Sequence, residues 1–339
     1  MCRISLIEGD GIGFEVTRSL RRILRAANSG IRWELFEAGN RHFEKTGVFI
    51  GEDFYESMEK TKTGIKGPMD TPKDIGYKSA ISHLRQEYDL MVHESRIKGS
   101  NSIVYPYGKI DLSIFYENDD HLLKEEENFE PSSATKTFTI TKEGTKRAVE
   151  LAKKQALEKN LDTITLVLSE DSSNYFDDLF LDMVKSTFDE ENSSSNGDKN
   201  GINLKILSFN QFIKAFIKNP TIYNIILTQG KYGEIIENVA TGLIDSCLLF
   251  AKGNFGKEYA IFEPSHGSLD CRASNNMANP TDTLFTGCML LEYLGKEEVA
   301  ERVQLALDKA LEYIHSNREF EKPLSTDEFT DLVISKLNS

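Results

Sequence analysis

The chain has 339 residues, 39% of them hydrophobic and 28% charged, which is the composition of a globular protein that can bury a substantial core. That length suits two or three domains, or one large α/β unit with two lobes. A net charge of −14 excludes nonspecific nucleic-acid binding, which needs Lys and Arg clustered against phosphates, and any anion pocket must be built locally. Cys2, Cys247, Cys271 and Cys288 lack metal-ligand spacing and read as reduced thiols. No apolar run approaches the roughly 20 residues that span a bilayer. With no targeting segment visible, the expected compartment is the cytoplasm or, for a processed form, the mitochondrial matrix.

In chain order, "RISLI" reads as a short buried strand and "EGDGIG" as a glycine turn. "FEVTRSLRRILRAAN" follows as an amphipathic helix with Val16, Leu20, Ile23 and Leu24 on one face. "IRWELFEAG" alternates as a second strand, "GEDFYESMEKTK" is helical, "TGIKGP" enters another glycine turn, and "YKSAISHLRQEYD" is a helix. Such alternation with short turns indicates a largely parallel sheet covered by helices. From about residue 101, "KIDLSIFYEND" and "ATKTFTIT" read as strands around the acidic connection "LKEEENFEPSS". A helix ("KEGTKRAVELAKKQALEK"), a strand ("TITLVLS"), a helix ("NYFDDLFLDMVKSTF") and a strand ("LKILSF") come next, with a polar, solvated loop at 189–201. A strand at 224–228 leads into "LTQGKYGEIIEN". The tail carries "AIFEPSHGS", "NNMANPTDTLFTGCMLLEYLG" and helices at 296–315 and 325–337.

Two short motifs carry the chemistry. The glycines at 9, 11 and 13 give G-x-G-x-G, not the dinucleotide spacing G-x-G-x-x-G, although Glu37 stands where a ribose-binding acid would. A tight strand-to-helix turn explains the same residues. In "KYGEIIEN", Glu234, Glu237 and Asn238 fall on one helical face, which suits half of a hard-cation site or an acidic helix start favoured by the dipole.

The order and spacing of "IEGDGIGFEV", "IKGPMDTP", "LRQEYDL", "YGEII", "FEPSHGS" and "MANPT" resemble the isocitrate/isopropylmalate dehydrogenases, over roughly residues 3 to 337. The resemblance implies a two-lobed, non-Rossmann α/β fold with a mixed sheet flanked by helices. It puts residues 1–100 and 246–339 in a large lobe that carries the cofactor-side loops. Residues 101–245 then form a small lobe for dimerisation. It also implies oxidative decarboxylation of a 2-hydroxy acid with NAD(P) and Mg²⁺, in a cleft completed by a partner subunit.

Residue by residue, the pattern is only partly kept. The family's Y-G-D-I-L-S-D reads Tyr232-Gly233-Glu234-Ile235-Ile236-Glu237-Asn238, and the third metal Asp, given across the dimer, falls at Asn210. Glu234 is then the one remaining metal ligand, too little to hold Mg²⁺ well. The catalytic lysine position holds Ser169, beside Glu170 and Asp171. The catalytic tyrosine position holds Leu123, and Tyr116 replaces an arginine clamp; His121 is a stray base candidate. For substrate carboxylates, Lys66, Ser79 and Arg85 match, while Ser95 takes an arginine position and Arg96 comes one residue late. On the cofactor side His266, Gly267, Ser268 and Asn279 match the loops around adenosine, with Cys271 at the ribose acid and Asp270 adjacent.

With the proton-transfer and metal groups substituted and the turn glycines kept, the favoured expectation is a catalytically silent structural or regulatory subunit. It would pair with a homologous catalytic dehydrogenase in a hetero-oligomer, or form a homodimer, and bind a tricarboxylate or nucleotide, with NAD as the cofactor if one is retained. Two alternatives stand beside it: an active β-decarboxylating dehydrogenase with a rewired site, and a scaffold that binds no small ligand.

Overall fold

The computed structural model describes residues 2–70, 79–100, 105–118, 127–130, 132–137, 139–169, 175–194, 201–244, 248–269, 273, 275–316 and 323–337. The first third alternates β1 (Cys2–Ile7), α1 (Gly13–Ala26), β2 (Ile31–Phe36), α2 (Asn40–Thr46), α3 (Glu52–Thr61), β3 (Thr63–Lys66), α4 (Ala80–Glu87) and β4 (Val92–Gly99). The middle contains β5 (Asp111–Glu117), the small hairpin β6 (Glu127–Glu130) and β7 (Ser133–Lys136), α5 (Lys142–Glu158), β8 (Thr163–Leu168) and α6 (Tyr175–Ser194). It continues with β9 (Asn203–Ser208), α7 (Phe209–Lys218), β10 (Ile225–Leu227) and α8 (Gly230–Ile244). Last come β11 (Leu248–Phe255), β12 (Ala260–Pro264), α9 (Thr281–Tyr293), α10 (Glu297–Ser316) and α11 (Thr326–Leu337).

Ten strands form one mixed sheet in the order β2-β1-β3-β12-β11-β4-β5-β10-β8-β9. Both ends of the sheet are parallel, as strand–helix alternation predicts, but β11 runs antiparallel to both β12 and β4, and β4 antiparallel to β5. The antiparallel centre is what sequence reading misses. β4 carries polar residues on both faces, His93 and Ser95 on one and Glu94 and Arg96 on the other, so it lacks the apolar alternation that marks a half-buried strand, while β11 keeps its polar residues, Lys252 and Asn254, on one face. α7 was also unforeseen, although Ser208 and Gln211 form a capping box at its start. The polar stretch from 189 is helical as far as Ser194, where α6 ends.

The glycine turn is a structural interlock between β1 and β3. Gly9 has φ +83°, and a Cβ there would lie 2.1 Å from the Pro68 carbonyl oxygen; one on Gly67 would lie 2.3 Å from that of Glu8. The Asp10 amide donates to the Pro68 carbonyl (2.7 Å), and its carboxylate accepts from the amides of Asn40 (2.8 Å) and Asp70 (3.1 Å). Glu37, the candidate ribose acid, pairs instead with Lys45 at the surface (2.7 Å). The largest core cluster packs α1, α5, α9 and α10 on the sheet, and a second gathers Ile97, Leu112, Phe212, Phe216, Ile236 and Phe250 beneath α7 and α8. No helix among the described residues is long and apolar enough to cross a membrane.

Candidate functional site

The antiparallel centre of the sheet makes a polar platform. In register, Glu263 of β12 lies beside Lys252 of β11, which lies beside Ser95 of β4; one step along, Asn254, His93 and Tyr116 form a second row across β11, β4 and β5. Side chains at directly opposed positions share a face, so these rows present one continuous polar surface. Helix α8 lies above it with Glu237 turned inward and only 5% exposed. Between helix and platform is a cleft of about 470 Å³ whose walls include Lys66, Arg85, Glu234 and His266.

The hydrogen bonds on this surface form one chain. The Arg85 fork donates through Nε to Asn254 Oδ1 (2.9 Å) and through Nη2 to His93 Nδ1 (3.3 Å), which explains why those two acceptors sit only 3.1 Å apart. Nδ1 is then the acceptor of a neutral imidazole, and Nε2–H donates to Ser95 Oγ (3.0 Å). Ser95 in turn donates to Glu237 Oε1 (2.5 Å), which also accepts from the Tyr116 hydroxyl (3.0 Å). Glu237 Oε2 pairs with Lys252 Nζ at 3.1 Å. At the other end Asn254 Nδ2 donates to Glu263 Oε1 (3.2 Å), and Glu263 Oε2 pairs with Lys66 Nζ at 3.1 Å.

Protonation follows from burial and these partners. Burial, with Arg85 and Lys252 adding to it, holds the His93 pKa well below its ordinary 6.5, so the ring stays neutral. Burial alone would raise the Glu263 carboxyl, but Lys66, then Arg85 and Lys252, outweigh it and hold the value at about 2. Burial and then Glu237 push the Tyr116 phenol well above 10, so Tyr116 is a fixed donor to Glu237 near neutrality.

The expected site residues fare unequally. Lys66 and Arg85 do line the cleft, as do Glu234, Asn238, His266 and Gly267. Arg96 does not. Strand side chains alternate, so Ser95 faces the cleft while Arg96 and Glu94 point to the opposite face. There Arg96 Nη2 pairs with Glu94 (2.9 Å) and Nη1 with Glu292 of α9, beside a second cavity of about 480 Å³. Ser79 caps α4, its hydroxyl accepting from the Ser82 amide (3.2 Å). Ser169 donates to the Asp177 carboxylate through both its amide (3.1 Å) and its hydroxyl. Asn210 is an exposed residue of α7 outside the cleft lining, and Asn238 spends its amide on the Glu234 carbonyl (2.9 Å). Asn279, just before α9, accepts from the Thr281 amide (3.1 Å), and the buried Ser268 accepts from the Ile12 amide on its carbonyl (2.8 Å). Leu123, His121, Asp270 and Cys271 lie outside the described residues. Reading the sequence missed His93, Lys252, Asn254 and Glu263, and did not count Glu237 among the metal ligands; the common signal of the four strand residues was polarity inside strand-length segments flanked by apolar residues.

Comparison with known proteins identifies the family. The sequence matches the isocitrate/isopropylmalate dehydrogenase family over residues 3–333. The chain belongs to that family. It is 30% identical to the isocitrate/homoisocitrate dehydrogenase of Thermus thermophilus, over 99% of both chains. It is 29% identical to mitochondrial isocitrate dehydrogenase [NAD] subunit 1 of Saccharomyces cerevisiae, over 99% of this chain and 91% of that one. Its fold superposes on an isocitrate dehydrogenase from Methylococcus capsulatus with a TM-score of 0.86 over all of both chains, at 23% identity. A β-decarboxylating dehydrogenase from Thermococcus kodakarensis gives 0.82 at 26% identity, over all of this chain and 96% of that one.

Family membership brings Mg²⁺ and NAD(P) into question, and the donor set answers differently for each. A divalent cation needs several oxygen ligands, usually including one or two carboxylates. On α8 the buried carboxylate, Glu237, is already taken by Ser95, Tyr116 and the Lys252 ammonium, leaving the exposed Glu234. The described residues of this chain do not fit Mg²⁺. The loop at 265–268 would suit NAD(P) better: Gly267 is exposed with open space beside its Cα, and His266, held to Thr283 Oγ1 (3.2 Å), lines the same cleft. The chain at Gly267 is therefore accessible to a ligand.

Proposed function

We infer that this chain is a catalytically silent, ligand-binding subunit of an isocitrate dehydrogenase-like, NAD-dependent assembly, paired with a homologous catalytic chain. One observation carries the reading: the carboxylate best placed to hold a metal, Glu237, is neutralised from within by Lys252. Without a metal to polarise the hydroxyl and carbonyl of a 2-hydroxy acid, the oxidative and decarboxylating steps lose their main electrostatic stabilisation. Ser169, at the family's lysine position, is committed to Asp177, which supports the same conclusion. Exposed apolar side chains at Leu179, Ile206 and Ile235 support a partner that covers the 101–245 region, the small lobe of this reading. NAD would lie against the 265–268 backbone, with His266 beside it.

The test is to purify the chain alone and assay isocitrate and 3-isopropylmalate with NAD⁺ or NADP⁺ and Mg²⁺, then to co-express it with a catalytic relative. The expected result is no turnover alone and a stable complex with altered partner kinetics. Clear turnover abolished by Glu234→Ala would instead establish the rewired-enzyme reading, for which whole-chain similarity to dehydrogenases is the supporting observation. Failure to pair or to bind any ligand would leave a scaffold.

A further inference from the structure

The Glu237–Lys252 pair suggests what replaces the metal. Glu237 Oε1 takes two hydroxyl donors and Oε2 takes the ammonium, so the carboxylate has three strong donors already. A divalent cation seated on Glu237 would lie a few ångströms from the ammonium. Like charges at that separation repel strongly in a partly buried site, and a doubly charged ion doubles the effect. The pair and the metal therefore exclude each other.

Lys252 is also built to act on a ligand. Its side chain is 27% exposed, and among the described residues its ammonium pairs with Glu237 at 3.1 Å and lies 5.1 Å from the centre of the Phe250 ring. An ammonium has three N–H donors, so two remain directed away from Glu237. Strand β11 fixes its position, because Lys252 lies in register between Ser95 and Glu263 at the centre of the platform. Arg85, clamped side-on against Asn254 and His93, and Lys66, seated on Glu263, line the same cleft. Lys66 and Lys252 are thus seated on buried carboxylates and Arg85 on Asn254 and His93, and a compact polycarboxylate would meet all three from the open side.

We propose that the cleft binds a small di- or tricarboxylate without a divalent cation, the Lys252 ammonium on Glu237 supplying the positive charge that a metal would otherwise give. This rests on the reading of the chain as a ligand-binding subunit. The experiment is isothermal titration with isocitrate and with tricarballylate, once in EDTA and once with free Mg²⁺ in excess, on the full chain in complex with its catalytic partner or alone. The dissociation constants in the two buffers should agree within about twofold. Lys252→Met should weaken binding about tenfold or more, as expected for the loss of charge-assisted hydrogen bonds, while Lys252→Arg keeps most of it. Thermal melts of both variants separate lost binding from lost fold. Because Lys252→Met uncovers Glu237 one turn from Glu234, it should also create a Mn²⁺ site visible by electron paramagnetic resonance, abolished again by adding Glu237→Gln. Binding that requires Mg²⁺, or a folded Lys252→Met that binds normally, overturns this inference and leaves the silent-subunit reading standing. No binding in either buffer overturns both the inference and the ligand-binding part of that reading.

Discussion

His93 and Glu263 give the protein a defined response to acid. Both have folded pKa values below their ordinary ones, so each contributes stability that is complete above its unfolded value and is lost as the pH falls toward its folded value. For His93 the loss begins below about 6.5, where the unfolded ring takes up a proton that the buried ring refuses; for Glu263 it begins below about 4.5 and ends near 2. Each contributes a slope of up to about 1.4 kcal/mol per pH unit. Urea titrations from pH 7.5 down to 5 should therefore show falling stability for the wild type and a flatter profile for His93→Gln. A profile unchanged by that substitution would mean the ring is not the group that titrates. None of this was readable at position 93 in the sequence, where a single His between Val92 and Glu94 looks unremarkable. Neutrality comes from contacts made by residues far along the chain, such as Asn254.

At the scale of elements, α8 decides the site because its first turn rests directly on β5. A Cβ on Gly233 would lie 2.3 Å from Tyr116 Cδ1, whereas one on Gly242 of the same helix would meet nothing within 4 Å. Gly233→Ala must push the helix away from the ring and break the Tyr116–Glu237 contact, costing about 1–3 kcal/mol. Gly242→Ala meets no obstruction and gains helix propensity, stabilising by roughly 0.5–1 kcal/mol. Urea midpoints of the two variants should move in opposite directions. The sequence already put Glu234, Glu237 and Asn238 on one helical face of α8, yet which of its glutamates faces inward depended on the tilt that Gly233 permits. Strand β4 was not plain, because both of its faces are polar.

The whole molecule is tied together across the face opposite the cleft. Glu94 accepts from Arg96 Nη2 (2.9 Å) and from Gln155 of α5 (2.6 Å), and Arg96 reaches on to Glu292 of α9. One arginine thus joins helices that cover the sheet from different parts of the chain. Removing one partner of a buried pair leaves a charge with no counter-ion. Arg96→Met should cost about 3 kcal/mol, most of it from the 4%-exposed Glu94, since Glu292 retains access to water. The double variant Arg96→Met/Glu94→Gln should recover part of that loss in chemical denaturation. If the single variant is as stable as the wild type, the bridge does not hold the elements together.

The sequence by itself determined the family and most of the framework. The glycine turns at 9–13 and 67, the helix periodicities and the strand–helix alternation are local properties, legible wherever one face is apolar and the other is not. Only the tertiary structure decided the site. Whether Arg96 or Ser95 faces the cleft depends on the pleat of β4. Whether Glu237 can hold a cation depends on Lys252, fifteen residues further along the chain and brought to 3.1 Å by the antiparallel return of β11. Charge compensation of this kind is a pairing in space, and a linear pattern of residue types does not encode it.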